Sequence, residues 1–152
     1  MQGDPVGSDP TSQARGAIEI VCSGDISRIE EYYSPRFVDH VNDAVHHGHD
    51  GLMQSYGFYK SIFDGGWRFE VIDQVTEGNR VASRWVMRGS CRGRPVELKG
   101  ATISTVDEAG QIREDFGYAD TLSLLGQLGV LRSLRLGIEV LVGRIKLPKP
   151  AR

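Results

Sequence analysis

Between Trp67 and Ala119 the chain reads with a period of two, and this constrains the fold more than any other feature. "WRFEVIDQV" sets Trp67, Phe69 and Val71 against Arg68 and Glu70. Such alternation puts one kind of side chain on each face of a strand. "TEGN" is a turn signal, and "RVASRWVMRGSCRG" and "PVELKGATISTVD" read as two further strands joined through Gly93. "EAG" is a hairpin turn leading into a fourth strand, "QIREDFGYA". Strands joined by such tight turns pair antiparallel.

Before the sheet the period is helical. "TSQARGAIEIVCSGD" predicts a first helix capped by Thr11 or Ser12, with Ala17, Ile18, Val21 and Cys22 on one stripe and Gly24 as its stop. "DISRIEEYYS" predicts a short second helix capped by Asp25, with Ile26, Ile29 and Tyr33 on one face and Pro35 at its end. "RFVDH" is extended. "DGLMQSYGFYKSIFD" predicts a third helix capped by Asp50, with Leu52, Tyr56, Tyr59 and Ile62 at helical spacing. After the sheet, Asp120 caps "DTLSLLGQLGVL", whose Leu122, Leu125 and Leu128 suit a helix packed on the sheet. The class is α+β: a conical, curved antiparallel sheet with helices on its concave side. Such a sheet can enclose a ligand cavity.

Three regions are expected: a flexible N-terminal tail over residues 1–10, one domain over 11–130, and a basic amphipathic helix and tail over 131–152. The N-terminus lacks the basic and apolar regions of a signal peptide, and no run is apolar enough to span a bilayer, so a cytoplasmic location is expected. In the last region Arg132, Arg135, Arg144, Lys146, Lys149 and Arg152 stand against Glu139 alone. Leu131, Leu134, Ile138, Leu141 and Ile145 form an apolar stripe on a helix ended by Pro148. This helix would pack on its own domain or a dimer mate, with contact to an anionic membrane surface as the alternative. The net charge of −2 offers no general attraction for nucleic acid. Cys22 and Cys91 are too far apart to suggest a disulfide framework or a zinc ribbon. All four histidines lie between His40 and His49, but His46, His47 and His49 lack the spacing of a rigid ligand pair. "HHGH" is expected to be a solvated loop that holds no metal.

"YYSPRFVDH", "FEVIDQVTEGNRVASRWVMRGSCRG" and "GQIREDFGYADTLSLLGQLG" together resemble the SnoaL-like polyketide cyclases, a branch of the nuclear transport factor two-like superfamily. The resemblance covers roughly Ala17 to Val130. It implies a conical α+β barrel with a deep apolar cavity, a homodimer formed through the sheet, and neither metal nor organic cofactor. It also implies ring closure of an aromatic polyketide by an intramolecular aldol step. Hydroxylase-like proteins, epoxide hydrolases and steroid isomerases share the fold. The aspartate that acts as general acid/base in the cyclases falls on Gly117, an assisting histidine falls near Ile103, and a polar residue after the second helix falls on Asp39.

Asp115 lies two residues before Gly117 and so projects to the same face of its strand. It is the candidate catalytic carboxylate, with a surface pairing to Arg113 or Arg84 as the alternative. Asp39 and His40 are the other catalytic candidates; being adjacent in an extended segment, only one can enter a cavity. Trp85 and Met87 share a strand face with Val81 and Ser83 and, with Tyr33, are expected to bind substrate. Arg84 points to the other face, where it meets solvent or a dimer mate, or instead supports a carboxylate at the substrate. The expected function is cofactor-free acid/base chemistry on an apolar polycyclic or polyketide-type substrate. A hydroxylase-like or hydrolase-like role, or small-molecule binding without chemistry, competes with it.

Overall fold

The computed structural model describes residues 9–23, 26–42 and 44–145. Gly24, Asp25, Pro148, nearly all of the expected N-terminal tail and the side chains of Cys22 and Ile26 lie outside that description.

Helix α1 (Pro10–Ser23) opens with a proline at its first position, where a missing N–H costs nothing. Its cap is Asp9, whose carboxylate accepts the Ser12 N–H at 3.2 Å, rather than Thr11 or Ser12. A 3-10 turn (Ile26–Arg28) leads into the single turn α2 (Ile29–Tyr32), and strand β1 (Tyr33–Val41) follows at once. Tyr33 therefore begins the sheet, and Pro35 sits within a strand instead of ending a helix. Strand β2 (Ala44–His47) pairs back on β1, and helix α3 (Gly48–Ile62) follows. Asp50 lies in the first turn of α3, where its charge favours the helix dipole, but His47 holds the cap position. Strands β3 (Trp67–Glu77), β4 (Arg80–Cys91), β5 (Arg94–Val106) and β6 (Ile112–Ala119) are the four read from the alternation. Arg92 and Gly93, both at positive φ, close the β4–β5 hairpin.

The six strands form one curved, unclosed sheet in the order β2-β1-β6-β5-β4-β3. All neighbours are antiparallel except β1 and β6, which run parallel. The concave face carries α1 and α3. Two apolar clusters fill it: Ala14, Ala17, Tyr33, Phe37, Leu52 and Ile112 belong to one, and Phe63, Trp85, Met87, Leu98, Leu124 and Leu128 to the other. Members of both line the cavity described below. The convex face is polar, laced by Arg84–Asp73, Arg88–Glu70 and Arg88–Glu97 ion pairs.

After the sheet come helix α4 (Thr121–Leu128) and helix α5 (Val130–Leu141), separated by Gly129 at φ 75°. Asp120 caps α4 as expected, its Oδ1 accepting the Ser123 N–H at 2.9 Å. The buried residues of α4 are Leu124 and Leu128, while Leu122 faces outward and Leu125 is only partly covered. The C-terminal stripe is also corrected. Leu136, Val140 and the downstream Ile145 pack inward, whereas Leu131, Leu134, Ile138 and Leu141 are exposed. Arg92 on the β4–β5 hairpin pairs with Glu139 on the same inward side of α5. The helix ends before Gly143, at φ 74°, well short of Pro148. Among the described residues no helix is long and apolar enough to cross a membrane.

Candidate functional site

Parallel pairing of β1 with β6 sets Asp39 beside Asp115 and Val41 beside Gly117. These are concave-face positions, because β6 pairs Asp115 with Ser104 and Gly117 with Thr102 on β5, and Ser104 pairs in turn with Val81 on β4. The result is two carboxyls from the first and last strands, side by side on the inner face. Asp39 is 6% exposed and Asp115 7%. Both line a cavity of about 100 Å3, whose walls include Tyr33, Leu52, Tyr56, Trp85 and Met87.

Burial dominates the electrostatics of the pair. It pushes the Asp39 carboxyl up to about 6; a hydrogen bond with Ser55 of α3 and the charge of neighbouring His40 work against it. The rise is larger for Asp115, to about 8. Burial is the first cause, a hydrogen bond with Ser104 opposes it, and the charges of Asp39 and Glu114 add to it. Asp115 Oδ1 is buried with no hydrogen-bond partner in the described structure. A buried oxygen without a partner is uncommon and costly, so this one is free to meet a ligand.

Trp85 stands where its strand alternation predicts. Its indole lies over Gly100 on β5, and its Nε1 donates to Thr102 Oγ1 at 3.0 Å. Phe69 leans on it with ring centres 5.1 Å apart. Tyr33 and Met87 also line the cavity, as expected. Two candidates do not. His40, next in sequence to Asp39, emerges on the convex face, where it stacks on Phe116 at 4.3 Å and meets Glu114 at 3.1 Å. Arg84 is likewise convex and exposed, with its Nε donating to Asp73 at 3.0 Å. In both cases the cause is strand alternation: neighbours of an inward residue point outward. Among the described residues no arginine lines the cavity.

The histidine segment is a further correction. Ala44–His47 is an edge strand, and His46 is buried on the concave face opposite Asp39. Burial lowers the pKa of His46, and its Nε2 has no hydrogen-bond partner among the described residues. His49 contacts the Tyr33 carbonyl at 2.9 Å through Nε2. Only His47 of this trio is exposed. The missed signal is the turn: Val41 pairs with Ala44, leaving two residues between them, and Asn42 takes the positive φ of 51° that asparagine tolerates. Trp67 also lines the cavity, with a buried Nε1 that no described residue accepts. Among the described residues no three His, Cys, Asp or Glu side chains converge as a metal-binding group.

Comparison with known proteins agrees with this architecture. The SnoaL-like domain matches residues 14–115. IdmH of Streptomyces antibioticus, a candidate polyketide cyclase, is 28% identical; the alignment covers 80% of this chain and 99% of that one, with a TM-score of 0.71. A candidate polyketide cyclase of Bacillus cereus is 23% identical over 79% of this chain and 80% of its own, with a TM-score of 0.69. A candidate SnoaL-like cyclase of a Jannaschia species is 16% identical over 84% and 96%, with a TM-score of 0.68. The last two speak for the fold alone. No curated protein matches the sequence. With two thirds of its length matched and the same curved sheet and helices as its structural neighbours, the chain belongs to the SnoaL-like domain family.

Proposed function

We propose that this protein moves protons on an apolar, carbonyl-bearing substrate of polyketide type, with Asp115 as general acid and Asp39 as general base. The observation that carries the reading is the carboxyl pair: adjacent, buried and facing one cavity, with burial raising Asp115 further than Asp39. Two titratable groups whose surroundings push them apart divide acid from base between them. Near neutral pH Asp39 is largely ionised and Asp115 keeps its proton. Asp39 removes a proton from the carbon next to a carbonyl. The resulting enolate carbon attacks a second carbonyl in the same molecule, and Asp115 gives its proton to the oxygen that becomes the new hydroxyl. One carbon–carbon bond forms, one carbon–hydrogen bond breaks, and one proton has passed from Asp115 to Asp39 through the substrate. Return of that proton through the shared site or water resets the pair. The Trp85 face and the Met87 side chain hold the carbonyl portion of the substrate against the carboxyls.

The roles differ from a simple transfer of the cyclase pattern, in which the acting aspartate would stand at Gly117. Asp115 supplies the carboxyl from one pleat away. An epoxide-hydrolase-like reading is disfavoured because it needs an arginine beside the carboxylates, and Arg84 is turned outward. A second reading, binding without chemistry, draws support from Gly117 itself. The expected homodimer would meet through the convex face, and sedimentation of the purified protein tests that.

The test of the acid/base reading is exchange of the acetyl protons of para-methyl acetophenone in deuterated water, followed by proton NMR. Catalysed exchange is expected, falling by about 10²–10⁴ in Asp39→Asn. Exchange at the uncatalysed rate with ligand bound would favour binding without chemistry.

A further inference from the structure

The carboxyl cavity has a neighbour. A second cavity of about 400 Å3 lies beneath the C-terminal helices, walled by Phe58 and Ile62 of α3, Leu98 of β5, Leu124 of α4, and Leu136 and Val140 of α5. Val41 and Tyr59 line both spaces. They are the shared wall between a chamber that holds two carboxyls and a chamber that is almost wholly apolar. Among the described residues no charged side chain lines the second chamber; Asn42, Tyr59 and Thr121 are the uncharged polar residues in its wall.

Size sets the two apart. Sites for organic ligands commonly enclose about 300–1,000 Å3. At about 100 Å3 the carboxyl chamber holds a functional group but not a polycyclic molecule, whereas about 400 Å3 holds a chain or a pair of rings. A lining that is mostly apolar among the described residues also discriminates by chemistry. A phosphate, carboxylate or ammonium placed there would lose its hydration with nothing to replace it.

We propose that the two chambers bind one substrate: a carbonyl head between Asp39 and Asp115, and an uncharged apolar arm, alkyl or aromatic, in the chamber under α4 and α5. The head rests on the acid/base reading above; binding of the arm does not. The family match ends at residue 115, so α4 and α5 lie beyond it; Thr121, Leu124, Leu125, Leu136, Val140 and Ile145 form one side of the arm's lining, and β1, β2, α3 and β5 form the other. The inward set of Leu124, Leu136, Val140 and Ile145 has this role, while the outward stripe of α5 does not touch the chamber. The substrate class that follows is a free, neutral ketone with an extended hydrocarbon portion.

The test uses para-alkyl acetophenones from methyl to octyl, with affinity read from the fluorescence of Trp67 and Trp85. Affinity is expected to rise about fourfold for each buried methylene and to level off once the arm fills the chamber. Leu125→Glu, which places a charge in the chamber wall, and Ala44→Phe, which fills the chamber from β2, should both abolish the increment. Circular dichroism establishes that each is folded. Leu131→Glu, on the exposed side of α5, should keep the increment. Flat affinity along the series, absence of octyl binding, or an unchanged increment in both folded chamber variants overturns the proposal. Acetyl-proton exchange, followed on the same probes, tests the head separately: a rising series without exchange keeps the arm site and sinks the acid/base reading, and exchange with a flat series does the reverse.

Discussion

The indole of Trp85 occupies the space that a side chain on Gly100 would need. A Cβ built at Gly100 overlaps the Cζ2 and Cη2 atoms of Trp85, its pairing partner on β4. The largest aromatic wall of the cavity is thus seated by an absence of atoms on the neighbouring strand, and the Thr102 hydroxyl fixes its far edge.

Gly100→Ala should therefore cost about 1–3 kcal/mol of stability through overpacking against a ring that cannot retreat. Urea unfolding measures the loss, and a changed tryptophan emission should report the displaced indole. Unchanged stability and emission would mean that the ring is not seated as described.

Gly117 gives the opposite expectation. A Cβ there meets only the His40 carbonyl oxygen at 3.7 Å and Val41 Cγ2 at 4.0 Å, ordinary packing distances. Gly117→Ala should shift stability by no more than about 1 kcal/mol. Gly117→Asp would restore the carboxyl position of the cyclases beside Asp115, raising the Asp115 pKa further by like-charge repulsion. The alkaline limb of the exchange profile should then move upward, which a rate–pH series reads directly.

The exchange rate of the unaltered protein should be bell-shaped in pH. Asp39 must be ionised, above about 6, and Asp115 protonated, below about 8, so the optimum lies near neutrality. Because the two carboxyls interact, the limbs belong to the pair as a unit. A rate that kept rising beyond pH 9 would contradict Asp115 as the acid.

Stability should depend on the same protons. Below about pH 4 the folded and unfolded states both hold Asp115 neutral. Between about 4 and 8 the unfolded chain releases a proton that the folded state retains, so stability falls as pH rises through this window, and the loss is complete above about 8. Asp115→Asn should flatten the slope and, at pH 8.5, stabilise the protein by roughly a few kcal/mol. Denaturant titrations at several pH values test this.

His40→Ala and Arg84→Ala should leave acetyl-proton exchange within about twofold of the parent, since both side chains sit on the convex face. A large loss in either would place that residue in the chemistry after all.

The alternation from Trp67 to Ala119 made β3 to β6 legible, because a half-buried antiparallel strand writes its two faces into the sequence. Trp85 and Met87 followed from that parity, and Asp115 from the same parity counted from Gly117, where the family resemblance placed the cyclase aspartate. The β1–β2 hairpin did not, because its turn is short and its inward residues are the alanine and histidine Ala44 and His46, which read as loop. The partnership of Asp39 with Asp115 was also hidden: pairing between a first and a last strand leaves no local trace. Charge and apolar spacing revealed an amphipathic α5, but which face turns inward depends on packing and on a pairing with Arg92, both set by residues far away in the chain.

The parallel seam between β1 and β6 has a consequence for how the protein comes into being. Asp39 and Asp115 come from opposite ends of the sheet sequence, so the β1–β6 pairing joins segments separated by β2, α3, β3, β4 and β5. Such closure between distant segments is slow relative to hairpin formation. A chain emerging from the ribosome can build the β3–β4–β5 meander early, with Asp39 still in water and ionised like any exposed carboxylate. The proton asymmetry of the site is thus a property of the paired molecule, acquired only once β1 and β6 have met.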